Sequence, residues 1–303
     1  MGDLDTPFVS VIIPVFNDLE RLVPCLQSLE NQTYSKKSYE VIVIDNGSDE
    51  EIKSVDLQFG QVVFTEEKEP GSYAARNKGI SLAQGEIFAF TDSDCIPHPD
   101  WIEKGVDNLL RVNNCGLVGG KIHIFFKDTK NPTAVELYDS VMAFPQKNYI
   151  EGDKFAVSAN LFTFRAVFEK VGLFDTKVKS GGDYNWGRRV FAAGYQLIYA
   201  PDVCVDHPAR SSFKDLYKKI VRVIGGQYDL SQNSPIYPSN KFLKLLFRDL
   251  IPPLKFSLSI LSSQEVKEFD KKIKIIAVRW YVKYARAWER AKFQFKVSKV
   301  RER

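Results

Sequence analysis

What most constrains this chain is the alternation of short apolar runs with amphipathic stretches over its first ninety residues. Phe8 to Val15 (FVSVIIPV) is a continuous, largely β-branched run, too short for a membrane span and typical of a strand buried on both faces. Asn17 and Asp18 can cap a helix in which Leu19, Leu22, Val23, Leu26 and Leu29 recur at helical spacing. Tyr39 to Ile44 is a second buried strand, closed by the polar turn Asp45-Asn46-Gly47-Ser48. A third, Val62 to Thr65, precedes a helix that starts at Gly71-Ser72 and runs through Ala83; the fourth, Glu86 to Thr91, ends in Asp92-Ser93-Asp94. Strand and helix alternating over short connections predict an α/β fold, a mostly parallel sheet with right-handed crossovers. Ligands of such sheets sit at the carboxyl ends of the strands, so Asp45 and the Asp92 to Asp94 triplet are site candidates on topology alone.

Beyond residue 115 the rhythm changes. Leu117 to Phe126 and Phe155 to Phe164 read as strands on either side of a helix-like stretch at Pro132 to Met142, so a mixed sheet is expected there. Gly181-Gly182 introduces a helix over Asp183 to Ala193, and Gln196 to Ala200 reads as a short strand before Asp202 to His207.

The chain has 303 residues, 44% hydrophobic and 26% charged. That composition builds a real core and excludes a disordered chain, a collagen-like repeat and a small disulfide scaffold. Cys25, Cys95, Cys115 and Cys204 form no CxxC pair, which suggests reduced thiols rather than a zinc knuckle or redox dithiol. The first seven residues lack the basic region and cleavage site of a signal peptide, so a cytoplasmic protein is expected. The net charge of +4 conceals an asymmetry: residues 1–240 carry 25 Lys and Arg against 32 Asp and Glu, giving −7, whereas residues 241–303 carry 17 against 6, giving +11. Two regions with different partners are implied.

Two aspartates one residue apart at the end of a buried strand can direct hard oxygen ligands at one divalent cation, Mg²⁺ or Mn²⁺, held together with substrate phosphates. Acidic triplets also occur on surfaces without function, but this one follows EIFAFT and precedes the Pro97-Pro99 loop and Trp101, a strand-to-loop corner rather than a charged helix face.

Four blocks in order, VSVIIPVFND, YEVIVIDNGSDE, PGSYAARNKGISLAQGEIFAFTDSDCIPHPDWI and GGDYNWGRRV, resemble the family 2 glycosyltransferases of the GT-A fold, over about residues 8 to 210. The resemblance implies a non-processive enzyme of the type that builds bacterial surface glycans. Residues 1–115 would be the nucleotide-sugar-binding half, residues 116–240 the acceptor half with a mixed sheet, and residues 241–303 a basic helical appendage. It implies that Pro14, Val15 and Phe16 line the nucleobase pocket, that Asp45 accepts a hydrogen bond from the base, and that Arg76 contacts base or phosphates. Asp92, with Ser93, would face the ribose, Asp94, Asp92 and His207 would hold the metal, and His207 would also lie near the diphosphate. Against these stand plainer readings: Pro14 and Val15 as core, Asp45 as a turn cap, Arg76 as a solvated helix charge and His207 as structural. Family members usually carry Glu-Asp, a further Glu, then Gly and Arg; here Gly182, Asp183, Asn185, Gly187 and Arg189 stand in those places. Asp183 is the implied catalytic base, with Arg189 and Trp186 on the acceptor side; Trp186 is equally explained as a core aromatic.

A carboxylate beside the acceptor hydroxyl can take its proton as the hydroxyl attacks the anomeric carbon opposite the leaving diphosphate, which inverts that carbon. The resemblance points to a UDP-sugar donor and a lipid-linked or polysaccharide acceptor. Processive synthases share the first blocks but carry a QxxRW motif and several membrane spans, neither of which is found here. Glycoside hydrolysis has no need of a DxD triplet on such a sheet, and nucleotidyl transfer lacks its Gly-rich, Lys-containing loop after the first strand. The departures at Gly182 and Asn185 keep one rival in view, a non-catalytic nucleotide-sugar-binding scaffold in a glycan assembly complex.

From Lys241 onward apolar and basic residues interleave, and Lys244, Arg248, Asp249, Pro252, Pro253 and Lys255 interrupt the first stretch too often for a transmembrane helix. With Trp280, Tyr281, Tyr284, Trp288 and Phe293, this tail suits the anionic inner face of the cell membrane. The alternative is a helical cap that packs on the catalytic domain or on a second copy in a homo-oligomer. Nucleic acid is not an expected partner, since the other 240 residues are acidic.

Overall fold

A computed structural model describes residues 6–49, 59, 62–233 and 239–301. They divide into two compact units, one drawn from residues 1–123, 144–177 and 182–207, the other from 124–143, 178–181 and 208–303.

In the first unit, β1 (Val9–Val15) pairs in parallel with β2 (Tyr39–Asp45) and with β4 (Ile87–Thr91), and β2 with β3 (Val62–Glu66). All seven residues of β1 are buried, as a parallel strand covered on both faces requires. The helices between these strands are α1 (Leu19–Glu30), α2 (Ser72–Leu82) and, after β4, α3 (Trp101–Arg111). Helix α2 approaches the sheet closely at Gly79, where a Cβ would lie 2.6 Å from Ile12 and 2.8 Å from Ile44. An alanine there would overpack this contact at a cost of about 1–3 kcal/mol.

Beyond β4 the sheet becomes mixed, as the sequence suggested. Strands β5 (Ile96–Pro97), β6 (Cys115–Phe125), β7 (Asn160–Phe164) and β8 (Gln196–Pro208) complete eight strands in the order β3-β2-β1-β4-β7-β6-β8-β5. Strand β7 runs antiparallel to β4 and β6, and β8 antiparallel to β5. Two boundaries differ from the sequence reading. Only Asn160–Phe164 of the run from Phe155 is strand, because buried Gln146 takes the Val157 N–H and donates to the Asn160 carbonyl, holding the backbone before Asn160 in a loop. Conversely, β8 continues to Pro208 because β5 offers it a partner, Ile96 opposite Asp206 and Pro97 opposite Val205. Phe88 and Phe90 of β4 pack on Phe168 of α5 (Arg165–Val171), Phe90 also on Phe174, and Phe168 and Phe174 in turn pack on Trp186 of α6 (Gly182–Ala192), Phe168 stacking on it at 4.4 Å.

The second unit is helical, built from α4 (Ala134–Met142), α7 (Phe213–Asn233), α8 (Ser239–Leu250), α9 (Leu254–Ser262) and α10 (Phe269–Arg301). A capping box opens α4: Thr133 Oγ1 accepts the Glu136 N–H at 3.1 Å while the Glu136 carboxylate accepts the Thr133 N–H at 2.8 Å. Val135, Ile220, Ile224, Phe242, Ile275 and Val278 form the centre of one apolar core. Charges are buried in it too. Asp249 of α8 accepts from Arg290 Nε at 3.0 Å and lies 3.5 Å from Arg286 Nε, and Asp139 accepts from Arg210 Nη1 at 2.8 Å. Among the described residues, no helix is long and apolar enough to cross a membrane.

Candidate active site

The parallel register brings Val15 level with Asp45, and β4 lies on the other side of β1, so the polar residues that follow these strands gather at the carboxyl end of the sheet. Pro14 and Val15 are buried strand residues, and of the expected nucleobase-lining trio only Phe16 presents its side chain to solvent, 60% exposed. Asp45 does cap its turn, accepting the Ser48 N–H at 3.0 Å. The loops after β1 and β2 are tied together: Asn17 takes the Asp49 N–H and donates to the Asp49 carboxylate, and Ser48 Oγ accepts the Asn17 N–H.

Asp18 stands at the N-cap position of α1, but its side chain makes no cap bond. It accepts instead from Ser93 Oγ at 3.0 Å and from Arg21 Nε at 2.6 Å, which anchors the triplet after β4 to the start of α1. Ser93 is thereby a tether of the triplet. Arg76 is not a solvated helix charge: it is 4% exposed, and its Nη2 pairs with Asp92 Oδ1 at 2.5 Å. Its buried Nε has no partner among the described residues, an orphan donor beside the first aspartate of the triplet.

Asp94 and His207 converge from the ends of β4 and β8. Nε2 of His207 lies 3.6 Å from Asp94 Oδ2, and Arg21 Nη1 lies 3.3 Å from the same oxygen. His207 is almost wholly buried and packs its ring 4.8 Å from that of Phe144, which fixes the imidazole plane. The other two histidines stand apart, flanking Asp206 at 3.3 and 2.8 Å. A separation of 3.6 Å is one that two ligands of a single small cation adopt, and a carboxylate with an imidazole suits Mn²⁺ better than the oxygen-seeking Mg²⁺. Cys95 also lies within 4.8 Å of both. Its thiol faces the Ala159 carbonyl at 3.8 Å, and burial, then the charges of Asp92 and Asp94, push it well above its usual pKa, so it stays a neutral, core-facing group.

Asp183 opens α6 and is held on both oxygens. Tyr73 Oη donates to Oδ1 at 2.5 Å, and the Ser158 N–H donates to Oδ2 at 3.2 Å. Burial and the neighbouring Asp183 charge raise the Tyr73 phenol well above its usual pKa, so it remains a donor. This contact explains a departure from the family pattern, because a Cβ at Gly182 would lie 2.8 Å from the Tyr73 ring.

The two acceptor-side candidates occupy structural positions. Trp186 is fully buried, its Nε1 donating to the Gly172 carbonyl at 3.1 Å and its ring stacked on Phe168, so it is a core residue with no face open to a sugar. Arg189 spends its donors on Asn185 Oδ1 and on the carbonyls of Val171 and Leu173, bracing the loop after α5. Sequence reasoning missed Asp18, Arg21, Tyr73 and Ser158 as members of the site. Asp18 and Tyr73 stood within the blocks that carry the family resemblance, but only folding shows what they touch.

A model of the family described as Glycosyl transferase family 2 matches residues 10–172. Glycosyltransferase AglE of Haloferax volcanii is 43% identical over 226 residues, 73% of either chain. A dolichyl N-acetyl-alpha-D-glucosaminyl phosphate 3-beta-D-2,3-diacetamido-2,3-dideoxy-beta-D-glucuronosyltransferase of Methanococcus voltae is 25% identical over 228 residues, 71% of either chain. Among solved structures, mannosyltransferase PcManGT from Pyrobaculum calidifontis, in complex with GDP-Man and Mn²⁺, aligns over 95% of this chain and 87% of its own with a TM-score of 0.62 and 18% identity, a likeness of fold. The chain therefore belongs to the family 2 glycosyltransferases and is an enzyme of the GT-A fold.

Proposed function

We propose that this glycosyltransferase moves a sugar, with inversion, from a nucleotide sugar to a hydroxyl of a lipid-linked or polysaccharide acceptor, with Asp183 as general base and Mn²⁺ or Mg²⁺ as cofactor. The observation that carries the reading is the convergence of Asp94 and His207 on one small volume next to the Arg76–Asp92 pair. In this reading residues 1–115 hold the donor and residues 116–240 the acceptor. Asp94 and His207 would hold the cation, whose chemistry when bound would be charge neutralisation at the diphosphate. Phe16 and Asp45 face the base, and the orphaned Arg76 Nε serves a donor oxygen.

The acceptor oxygen forms its bond to the anomeric carbon as the bond from that carbon to the diphosphate oxygen breaks. The hydroxyl proton passes to Asp183, and the nucleoside diphosphate leaves with the bonding pair. Tyr73 and the Ser158 amide aim the carboxylate, so the base is positioned before the acceptor arrives. A UDP-sugar is the first donor to test and GDP-mannose the second, since PcManGT is seen with GDP-Man. The dolichyl phosphate sugar named for the Methanococcus voltae relative supports a lipid-linked acceptor. In this reading the enzyme works at the cytoplasmic face of the membrane.

Thermal unfolding with UDP, GDP, dTDP and CMP, each with and without Mn²⁺, tests the donor site without an acceptor. A ligand of the folded state at a hundred times its Kd stabilises by about 2.7 kcal/mol. One nucleotide should stabilise only with the metal, and Asp94→Ala should lose that effect. Asp183→Asn should keep the stabilisation while transfer falls by about a hundredfold or more. Undiminished stabilisation in Asp94→Ala, or wild-type transfer by Asp183→Asn, would overturn the reading.

A further inference from the structure

Exposed large apolar residues are concentrated at the C-terminal end of the chain. Among the described residues, 12 of the 21 exposed large hydrophobic residues fall within residues 241–303, about a fifth of the chain. Their order is helical. On α8, Phe242, Leu245 and Asp249 point into the core, while Leu243, Phe247 and Leu250, at i, i+4 and i+7, face solvent at 45%, 62% and 51% exposure. Helix α9 repeats the spacing: Ile260 is buried, and Leu254, Leu258 and Leu261 are exposed. The two helices are joined through Ile251, Pro252 and Pro253, and Ile251 is itself 63% exposed.

Helix α10 carries the same device on a longer scale. Ile275, Val278 and Val282 point inward, whereas Phe269, Ile273, Tyr281, Tyr284 and Trp288 form an outward stripe of four- and three-residue steps, with Ala277 filling the gap. The tail aromatics therefore divide. Phe293 stacks on Tyr228 inside the unit and Trp280 donates to Ser257, so neither serves an outer surface, while Tyr281, Tyr284 and Trp288 do. A globular helix needs one apolar stripe, and these three have two; on α10 the outer one is partly engaged, Tyr281 standing edge-on to Phe213 at 5.0 Å, while Leu243, Phe247 and Leu250 of α8 and Leu254 and Leu258 of α9 stand open to solvent. Exposed Lys244, Arg248 and Lys255 lie one position from outward apolar residues, in a segment of net charge +11. Apolar residues flanked by cations fit a surface that is apolar within and anionic at its boundary.

We propose that the outer face of α8, α9 and α10 is a membrane-docking surface that lies in the interface of an anionic lipid bilayer, Phe247, Leu250, Leu254 and Leu258 entering the acyl boundary and Lys244, Arg248 and Lys255 meeting the headgroups. It rests on the reading of a lipid-linked acceptor only for its biological use, since binding to lipid needs neither donor nor acceptor. The face lies on the bilayer rather than through it, since no described helix is long and apolar enough to cross.

The experiment is flotation of the full chain with vesicles of phosphatidylcholine alone and with 30% phosphatidylglycerol, at low and high salt. Wild type should float with the anionic vesicles and lose at least tenfold in bound fraction on neutral ones or in high salt. Phe247→Ser/Leu258→Ser should lose at least tenfold on anionic vesicles, and so should Lys244→Glu/Lys255→Glu. All these side chains are exposed, so both variants should keep the wild-type melting temperature and the nucleotide-dependent stabilisation. Failure of wild type to float, or flotation of both variants like wild type, would overturn the proposal. So would a wild-type dimer that Phe247→Ser/Leu258→Ser converts to monomer without any change in flotation, because the face would then belong to a second copy. None of these outcomes touches the donor site, whose own test is the nucleotide-dependent stabilisation.

Discussion

Asp183, the proposed base, shows how much of a side chain's setting is fixed by residues far from it in sequence. Its carboxylate is fixed by Tyr73, 110 positions away, and by the Ser158 amide, 25 positions away. The block GGDYNWGRRV identifies the aspartate, but nothing in that block names its partners. Gly182 is the counterpart of the Tyr73 ring, since a side chain there would occupy the space the ring fills. Replacing Tyr73 by Phe keeps the ring and removes the hydrogen bond. A hydrogen bond to a charged group is worth about 1.5–3 kcal/mol, so kcat should fall at least tenfold. KM for the donor and the nucleotide-dependent stabilisation should stay unchanged, and steady-state kinetics at fixed acceptor would separate the two. An equal rise in donor KM would show that Tyr73 belongs to the donor site instead.

At the scale of elements, the sequence was most legible where periodicity was strong and least where a partner set the boundary. The first four strands and α2 fall where the apolar runs and the Gly71-Ser72 start put them. The run from Phe155 to Phe164 was over-read because apolar residues in a pinned loop have the composition of a strand, and β8 was under-read because its second half is strand only by pairing with β5. Asp249 is the clearest case in the helical unit. In the sequence it interrupts an apolar stretch; in the fold it is 3% exposed and joins α8 to α10 through Arg290 and Arg286. Asp249→Ala would leave the fully buried Arg290 guanidinium without this carboxylate, which costs about 3–5 kcal/mol for a buried pair. Urea unfolding should show that loss, while Lys274→Ala, which breaks the exposed Asp270–Lys274 pair, should shift the midpoint by less than about 0.5 kcal/mol.

For the molecule as a whole, one half-buried cation ties stability to pH. Burial first, then the charges of Arg210, Arg222 and Arg286, push Lys219 down to about 7 from its ordinary 10.5, with Asp139 opposing. Between those values the unfolded chain binds more protons than the folded one, so this lysine makes stability rise with pH from about 7 upward; below that its cost is fully present. Lys219→Met should therefore be more stable than wild type at pH 6, by about 2 kcal/mol or more, and the gap should narrow by pH 9, as denaturant midpoints across pH would show. A gap independent of pH would mean that Lys219 keeps its proton in the folded state. The sequence by itself determined the α/β class, the parallel start and mixed continuation of the sheet, the family, and the aspartates at the strand ends, because burial periodicity and motif order are local properties of a chain. Only the tertiary structure decided that Arg76 is buried against Asp92, that His207 meets Asp94 across 113 residues, that Trp186 is core, and which tail aromatics face outward. Those outcomes depend on which strands become neighbours and which helix faces find a core, and composition does not encode either.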